Sequence, residues 1–416
     1  MTQTRFDLEQ AWAGNVPSHW RWSRNKELLA ESLSVSLEGS EELLSVSHLT
    51  GITPKSEKNV TMTAAESLDG YRLVDPGDLV INTMWAWMGA LGVSKQAGIV
   101  SPAYGVYSPR PNAPFNPGFY DYLYRSSPYV MEMTRLSRGI WTSRLRLYPD
   151  VFLSMAVPVP PLEEQRAIAD FLDRETARID TLIEEQQRLI ELLHERRRLV
   201  VTNAIPQRPS LGSGADKLGR TAGIGNGSTP RRENKKYWDD GDIPWLNSSV
   251  VNQARVGSAA ESVTAAALAE CHLPIVPPGS VLVGLTGQGK TRGMATILDI
   301  EATVNQHLAY VTPDRATWWP DYLLWLLRAA YDDLRRISEE NGSTKGGLTC
   351  EALKQLRVTV PPIDEQRRIA LHLDEQTAKT DALIAETERF IDLARERRSA
   401  LITAAVTGQI DVLEVA

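Results

Sequence analysis

The chain has 416 residues, enough for two domains with separate cores, and its 42% hydrophobic and 23% charged content is that of an ordinary globular protein. No run of about 18 apolar residues is present to span a membrane. The start, MTQTRFDLEQAWAG, lacks the basic stretch and apolar core of a secretory signal, and Cys271 and Cys350 show no CxxC or Cys/His ligand spacing, so a disulfide scaffold and a zinc site are not expected and a cytoplasmic location is.

The net charge of −7 is unevenly spread. Residues 1–157 carry 14 basic and 15 acidic groups, 158–205 carry 7 and 10, 206–357 carry 17 and 16, and 358–416 carry 7 and 11. The acidity therefore sits in the second and fourth segments, and the two longer segments are almost neutral. Nothing in this balance provides a broad electrostatic funnel for DNA, so a DNA-binding role would need a partner to supply much of the phosphate contact.

In chain order, residues 1–157 read as a mixed α/β domain. Pro17-Ser18-His19-Trp20 is a turn, Lys26–Glu31 a short helical stretch, and Glu42–Leu49 a strand. YRLVDPGDLVIN, from Tyr71, places Pro-Gly turn chemistry before a β-rich run. Val100–Pro109 is expected to be a strand and Phe119–Met133 one helix. Next comes a loop that mixes Arg135, Arg138, Arg144 and Arg146 with Trp141.

Residues 158–205 form the first of two long helices. VPPLEEQRAIADFLDRETARIDTLI recurs as VPPIDEQRRIALHLDEQTAKTDALI after a gapless shift of 201 positions, the copies running from Pro160 and Pro361 to about Ala204 and Ala405. Such an internal repeat fixes the architecture before any local reading does. Ile168, Leu172, Ile179, Leu182, Leu189, Leu193 and Val200 recur at heptad-like intervals, as do Ile369, Leu373, Leu383, Phe390, Ala394 and Leu401, with Thr380 interrupting. Prolines at the first turn, acidic residues after them and arginines near the last turn all suit helix ends. At 1.5 Å per residue each helix reaches roughly 60 Å. Two seams of equal length most simply pair with each other as an antiparallel coiled coil.

Residues 206–357 repeat the plan of the first block after a Pro/Gly/Ser-rich linker placed at 206–222. Val276-Pro277-Pro278-Gly279 answers the first Pro-Gly turn, Thr303–Pro313 answers Val100–Pro109, and Asp321-Tyr322-Leu323 answers Asp121-Tyr122-Leu123. Candidate DNA contacts here are Arg231, Arg232, Lys235, Lys236, Lys290, Arg292, Asn341, Ser343, Thr344 and Lys345. Arginine is the usual bidentate reader of guanine, and Asn305-Gln306-His307 offers amides of the kind that read adenine. The same residues also suit solvated loops and strand ends.

GLTGQGKT, Gly284–Thr291, matches the P-loop pattern completely. A working P-loop requires a helix beginning at the lysine, so that its N-terminus faces phosphate. The following TRGMATILDI has an early glycine and then β-branched residues, which predicts a strand. The histidines show no metal-ligand spacing, and no methyltransferase or nuclease signature is found.

The doubled Pro-Pro-x-x-Glu-Gln helices, each with a downstream Glu-Arg-Arg, and the AVTGQI tail resemble the specificity subunit of type I restriction-modification systems over essentially the whole chain. The resemblance implies an α+β fold: two similar target-recognition domains (1–157 and 206–357) separated by spacer helices (158–205, and 358–416 with its tail). It implies a non-catalytic subunit that reads a bipartite, asymmetric double-stranded DNA site. Half-sites read from one side of B-DNA should lie about 34 Å apart. Two methyltransferase subunits and the restriction/translocase subunits are the implied partners; these would hold S-adenosylmethionine, ATP and Mg, and this chain no cofactor and no catalytic or metal residue. Glu164, Gln165, Glu365 and Gln366 join the apolar seam residues as the candidate spacer and partner-docking set. Pro17-x-x-Trp20 has no counterpart before the second domain. Two other readings remain open at this point: a P-loop nucleotide hydrolase with a coiled-coil arm, and a coiled-coil scaffold without nucleic-acid affinity.

Overall fold

A computed structural model describes residues 11–57, 68–140, 145–205, 209, 216–287, 289–340 and 347–415. They fall into two compact units: Met1–Gln187 with Glu388–Ala416, and Arg188–Thr387. The long helices Leu162–Ala204 and Ile363–Val406 each contribute one part to either unit. Among the described residues, no helix is long and apolar enough to cross a membrane.

The first unit is built on an antiparallel sheet in the order Leu29–Glu31, Gly105–Pro109, Leu79–Ile81, Leu91–Val93. Helices Pro117–Arg125 and Ser127–Leu136 pack on it through Phe119, Leu123, Tyr124, Tyr129 and Met133. The single helix expected over 119–133 is thus two. Ser126 leaves the helical region, with ψ 143°, and Pro128 lacks the N–H that would continue the ladder.

The second unit repeats this order: Ala222–Asn226, Leu308–Pro313, Val281–Gly284, Ala295–Leu298, extended by a parallel strand, Arg255–Val256. Helices Pro320–Ala329 and Tyr331–Glu340 stand where the pair stood in the first unit. Both Pro-Gly turns end as expected, on Gly77 and Gly279 at positive φ, a conformation glycine adopts without Cβ strain. The linker placed at 206–222 is shorter than expected. Asp216–Lys217 already pairs with Arg357–Val358, as Arg21–Arg24 pairs with Ala156–Val159.

Both helices extend as read, over 43 and 44 residues. In the first unit Ile168 and Leu172 share a core with Ala405 and Val406, and further along Asp180 accepts from the Arg398 guanidinium at 2.8 Å and 3.1 Å. In the second unit Ile369 and Leu373 share a core with Val201 and Ile205, and Arg197 meets Asp381 at 2.9 Å. Within each unit the helix segments therefore run antiparallel.

The seam is not quite the one expected. On the second helix Ile369 and Leu373 are buried as expected, and from there to Ala394 the buried positions are Thr377, Thr380, Ile384, Thr387, Ile391 and Ala394, whereas Leu383 and Phe390 are 42% and 43% exposed. Thr380 belongs to the seam rather than interrupting it. Thr377, Thr380 and Thr387 donate to the carbonyls of Leu373, Gln376 and Leu383 at 2.6, 2.9 and 2.8 Å, so buried threonine leaves no orphan hydroxyl. On the first helix Ile179 and Leu193 are buried as expected, but Leu182 is 36% exposed and Leu189 only half-buried. On the second helix part of the seam thus lies one residue later than the heptad spacing predicts, at Ile384 and Ile391.

Candidate nucleic-acid interface

Each unit gathers its candidate contact residues at one end of its sheet. In the first unit three loops meet there. Leu147 N–H donates to Thr83 O at 3.0 Å, and Thr83 Oγ1 donates to Ala103 O at 2.9 Å. Arg138 and Arg146 exchange backbone N–H···O bonds of 2.9 Å each, which pinches the arginine loop at its base. Both side chains are exposed and make no ion pair among the described residues. Arg135 is bound in bidentate fashion to the largely buried Glu132, at 2.7 Å and 2.6 Å, so it anchors the helix end instead of projecting freely. Trp141 and Arg144 lie outside the described residues. Arg146, Tyr148, Thr83 and Tyr104 line a pocket together with Arg72 and Glu31, which form an ion pair of 3.2 Å. Burial raises the Tyr104 hydroxyl pKa.

The second unit presents the same end with other residues. Leu348 N–H donates to Leu285 O at 2.9 Å, the counterpart of the Leu147–Thr83 bond, and Leu285 N–H donates to His307 O at 2.9 Å. Thr286 Oγ1 and His307 Nδ1 are 3.0 Å apart, and Thr229 donates to Gln306 Oε1 at 2.7 Å. Asn305 is buried and its amide oxygen accepts from His307 N–H at 3.0 Å. These amides shape the turn and are not held open for adenine. Arg231 and Lys235 are exposed and make no ion pair among the described residues. Arg232 lies over Trp238 and Trp245, 4.1 Å and 5.0 Å from the ring centroids, and forks onto Glu261. That hydrogen bond raises the guanidinium pKa and lowers that of Glu261. Lys236 is paired with Glu270, which Tyr237 also bonds at 2.9 Å; the pairing raises the lysine pKa and lowers the glutamate's. Asn341, Ser343, Thr344 and Lys345 lie outside the described residues.

Lys290 is exposed on the glycine-rich turn, which is held by Tyr331 Oη donating to Lys290 O at 2.9 Å and Arg335 donating to Gly289 O at 2.6 Å. Arg292 is buried, with its guanidinium 3.0 Å from Glu339. The chain then enters the strand Ala295–Leu298, not a helix. Without a helix N-terminus at the lysine, the turn lacks the donor array that cradles phosphate. The nucleotide-hydrolase reading falls on that point.

The residues flanking the repeated prolines do a different job from the one their repetition suggested. Gln165 is fully buried: its amide accepts from Asn116 N–H at 2.9 Å and donates to Pro114 O and Pro160 O at 3.0 Å and 2.9 Å. Gln366 does the same with Trp319 N–H, Thr317 O and Pro361 O, at 2.8, 2.9 and 2.8 Å. Each amide clamps the start of its long helix to the loop before the neighbouring domain helix. These glutamines are thus internal anchors, where the sequence suggested a surface for a partner. Glu164 likewise faces inward, accepting from Trp20 Nε1 at 2.8 Å and lying 3.0 Å from His19 Nε2. Glu365 is exposed and 3.7 Å from Arg368, consistent with the missing Trp20 counterpart. Leu401 packs against the first unit's core.

Comparison with known proteins agrees with this architecture. Residues 217–390 match the family described as "Type I restriction modification DNA specificity domain". The chain is 22% identical over 172 residues to the EcoR124I/EcoR124II specificity subunit of Escherichia coli, covering 41% of this chain and 42% of that protein. It is 31% identical over 157 residues to the MjaIX specificity subunit of Methanocaldococcus jannaschii, covering 37% and 34%. The alignments thus span less than half of either relative. The fold matches over more of the chain. A chain from a solved type I R-M system assembly aligns over 95% of this one and 100% of its own length, with a TM-score of 0.69 and 17% identity. The HsdS subunit from Thermoanaerobacter tengcongensis aligns over 95% and 98%, with a TM-score of 0.60 and 17% identity. The matched domain and the sequence relatives make this chain similar, over residues 217–390 and over less than half of each relative, to the specificity subunits of type I restriction-modification systems, whose fold it shares.

Proposed function

We propose that this chain reads a bipartite, asymmetric double-stranded DNA site and directs partner subunits to methylate or cut DNA. The observation that carries the reading is the pair of equivalent sheet ends. One scaffold is used twice, the corresponding backbone bonds are kept, and the exposed side chains differ: Arg138 and Arg146 in one unit, Arg231, Lys235 and Lys290 in the other. Two unlike readers on a repeated frame suit two unlike half-sites.

The chain itself contributes recognition and no chemistry. Two methyltransferase subunits would supply S-adenosylmethionine chemistry, and restriction/translocase subunits the ATP- and Mg-dependent cleavage, in the cytoplasm where the DNA lies. Few cations are free at either sheet end, so this chain alone should bind DNA weakly and with a shallow salt dependence. The exposed helix positions, among them Leu182, Leu383 and Phe390, remain available to partner subunits. Gel-shift titration of the chain co-purified with its methyltransferase partner tests the reading. Sequence-selective retention of a subset of a randomised duplex library is expected, and uniform binding across the library contradicts it.

A further inference from the structure

Between strands Leu79–Ile81 and Leu91–Val93 the chain makes one turn of 3-10 helix, Ala86–Met88, and displays Trp85 with 53% of its surface exposed. Met88 beside it is also exposed, as is Ile140 on the arginine loop. An indole left in water forfeits the burial that usually places tryptophan inside.

The turn that carries it is held from several sides. Ala86 is fully buried, Trp87 Nε1 donates to Met84 O at 3.0 Å, and Thr134 Oγ1 donates to Trp87 O at 3.1 Å. Met88 and Ala90 N–H both return to Trp85 O, at 3.0 Å and 3.1 Å. Gly89 closes the turn at φ 81°, with Val130 3.3 Å from where a Cβ would stand. The backbone under the indole is thereby fixed.

Its setting is cationic. The Leu147–Thr83 bond joins this loop to the pinched arginine loop, where Arg138 and Arg146 are exposed and make no ion pair among the described residues. Arginines that can meet phosphates beside a rigid apolar tip favour duplex DNA as the occupant. A protein surface would have to match the same guanidiniums with carboxylates.

Resting on the DNA-recognition reading above, we infer that Trp85, backed by Met88, is an apolar wedge that enters the groove and partly unstacks one base step of the first unit's half-site. Side chains used this way act where stacking is weakest, so the step should be pyrimidine–purine, TA or CA/TG, chosen through deformability and not through a hydrogen bond. The glycine-rich turn at the equivalent place in the second unit carries no aromatic side chain between Leu285 and Met294, so the device belongs to one half-site only.

The test uses the chain with its methyltransferase partner and a selected duplex in which 2-aminopurine replaces each adenine in turn. In the parent complex one step should brighten several-fold on binding. Trp85→Ala should abolish that signal and weaken selective binding about tenfold while leaving non-specific binding within twofold; Trp85→Phe should keep most of both. A Trp85→Ala complex with unchanged affinity and fluorescence profile overturns the inference alone. So does a Trp85→Ala chain that no longer co-purifies with its partner while Trp85→Phe does, since Trp85 would then belong to a protein interface. A parent complex with no sequence selectivity overturns the functional reading itself, and the wedge with it.

Discussion

The two units solve one structural problem identically and one chemical problem differently. Gln165 and Gln366 make the same three hydrogen bonds, to the same kinds of group, from the same turn of their helices. At the sheet ends the correspondence survives only in the backbone: Leu147 to Thr83 in one unit, Leu348 to Leu285 in the other. The loop after Leu79–Ile81 carries Trp85 and Met88, whereas the turn after Val281–Gly284 is glycine-rich and polar. What is shared supports the frame, and what differs is free to specify a ligand.

The clamps give the largest expected effect. Leucine at Gln165 or Gln366 strands one N–H and two carbonyls in a buried site, each worth about 1–3 kcal/mol, so either change should destabilise its own unit by ~3 kcal/mol or more. Urea unfolding followed by a probe in each unit checks this. Equal losses in both units from one substitution would show that the units do not answer separately to their clamps.

The seam comes next. Ile391→Ala removes a buried side chain, 5% exposed, and should cost about 2–4 kcal/mol. Phe390→Ala, one residue earlier and 43% exposed, should cost about 1 kcal/mol or less. A larger loss at Phe390 would restore the seam expected from the heptad spacing.

A smaller difference separates the two glutamates that precede the clamps. Glu164 is bonded by Trp20 and lies beside His19, so Glu164→Ala should destabilise the first unit by about 1.5 kcal/mol. Glu365→Ala, at an exposed position, should change thermal stability by no more than ~0.5 kcal/mol. Near-equal shifts would remove this asymmetry. Least is expected of the helix ion pairs: double-mutant cycles on Asp180–Arg398 and Arg197–Asp381 should each give ~0.2–1 kcal/mol, since both pairs are partly exposed.

Much of the frame was legible in the sequence. A repeat without gaps gave the two helices nearly to the residue, and the recurring Pro-Gly turns and apolar runs marked matching strands. The seam was read less well because apolar size and seam position part company here: threonines that bond their own helix fill buried sites while leucine and phenylalanine face outward. The clamps are not legible because Glu-Gln in a repeated helix suggests side chains facing water or a partner, and nothing local reveals that Asn116 and Trp319 supply the N–H groups. At the sheet ends, composition singled out the arginines but not which of them are already held. Arg135, Arg232 and Arg292 are bound by glutamates distant enough or ordinary enough to carry no signal. Trp85 carries no sequence signal of exposure, since a tryptophan after an apolar strand is usually core.

The central claim is that two unlike readers share one frame, and selection of DNA from a randomised library by the chain with the methyltransferase partner proposed for it tests it most directly. The account predicts two separated, dissimilar half-motifs, with charge reversal at Arg138 and Arg146 degrading one of them and leaving the other intact. A single contiguous motif, or loss of both halves together, would contradict it.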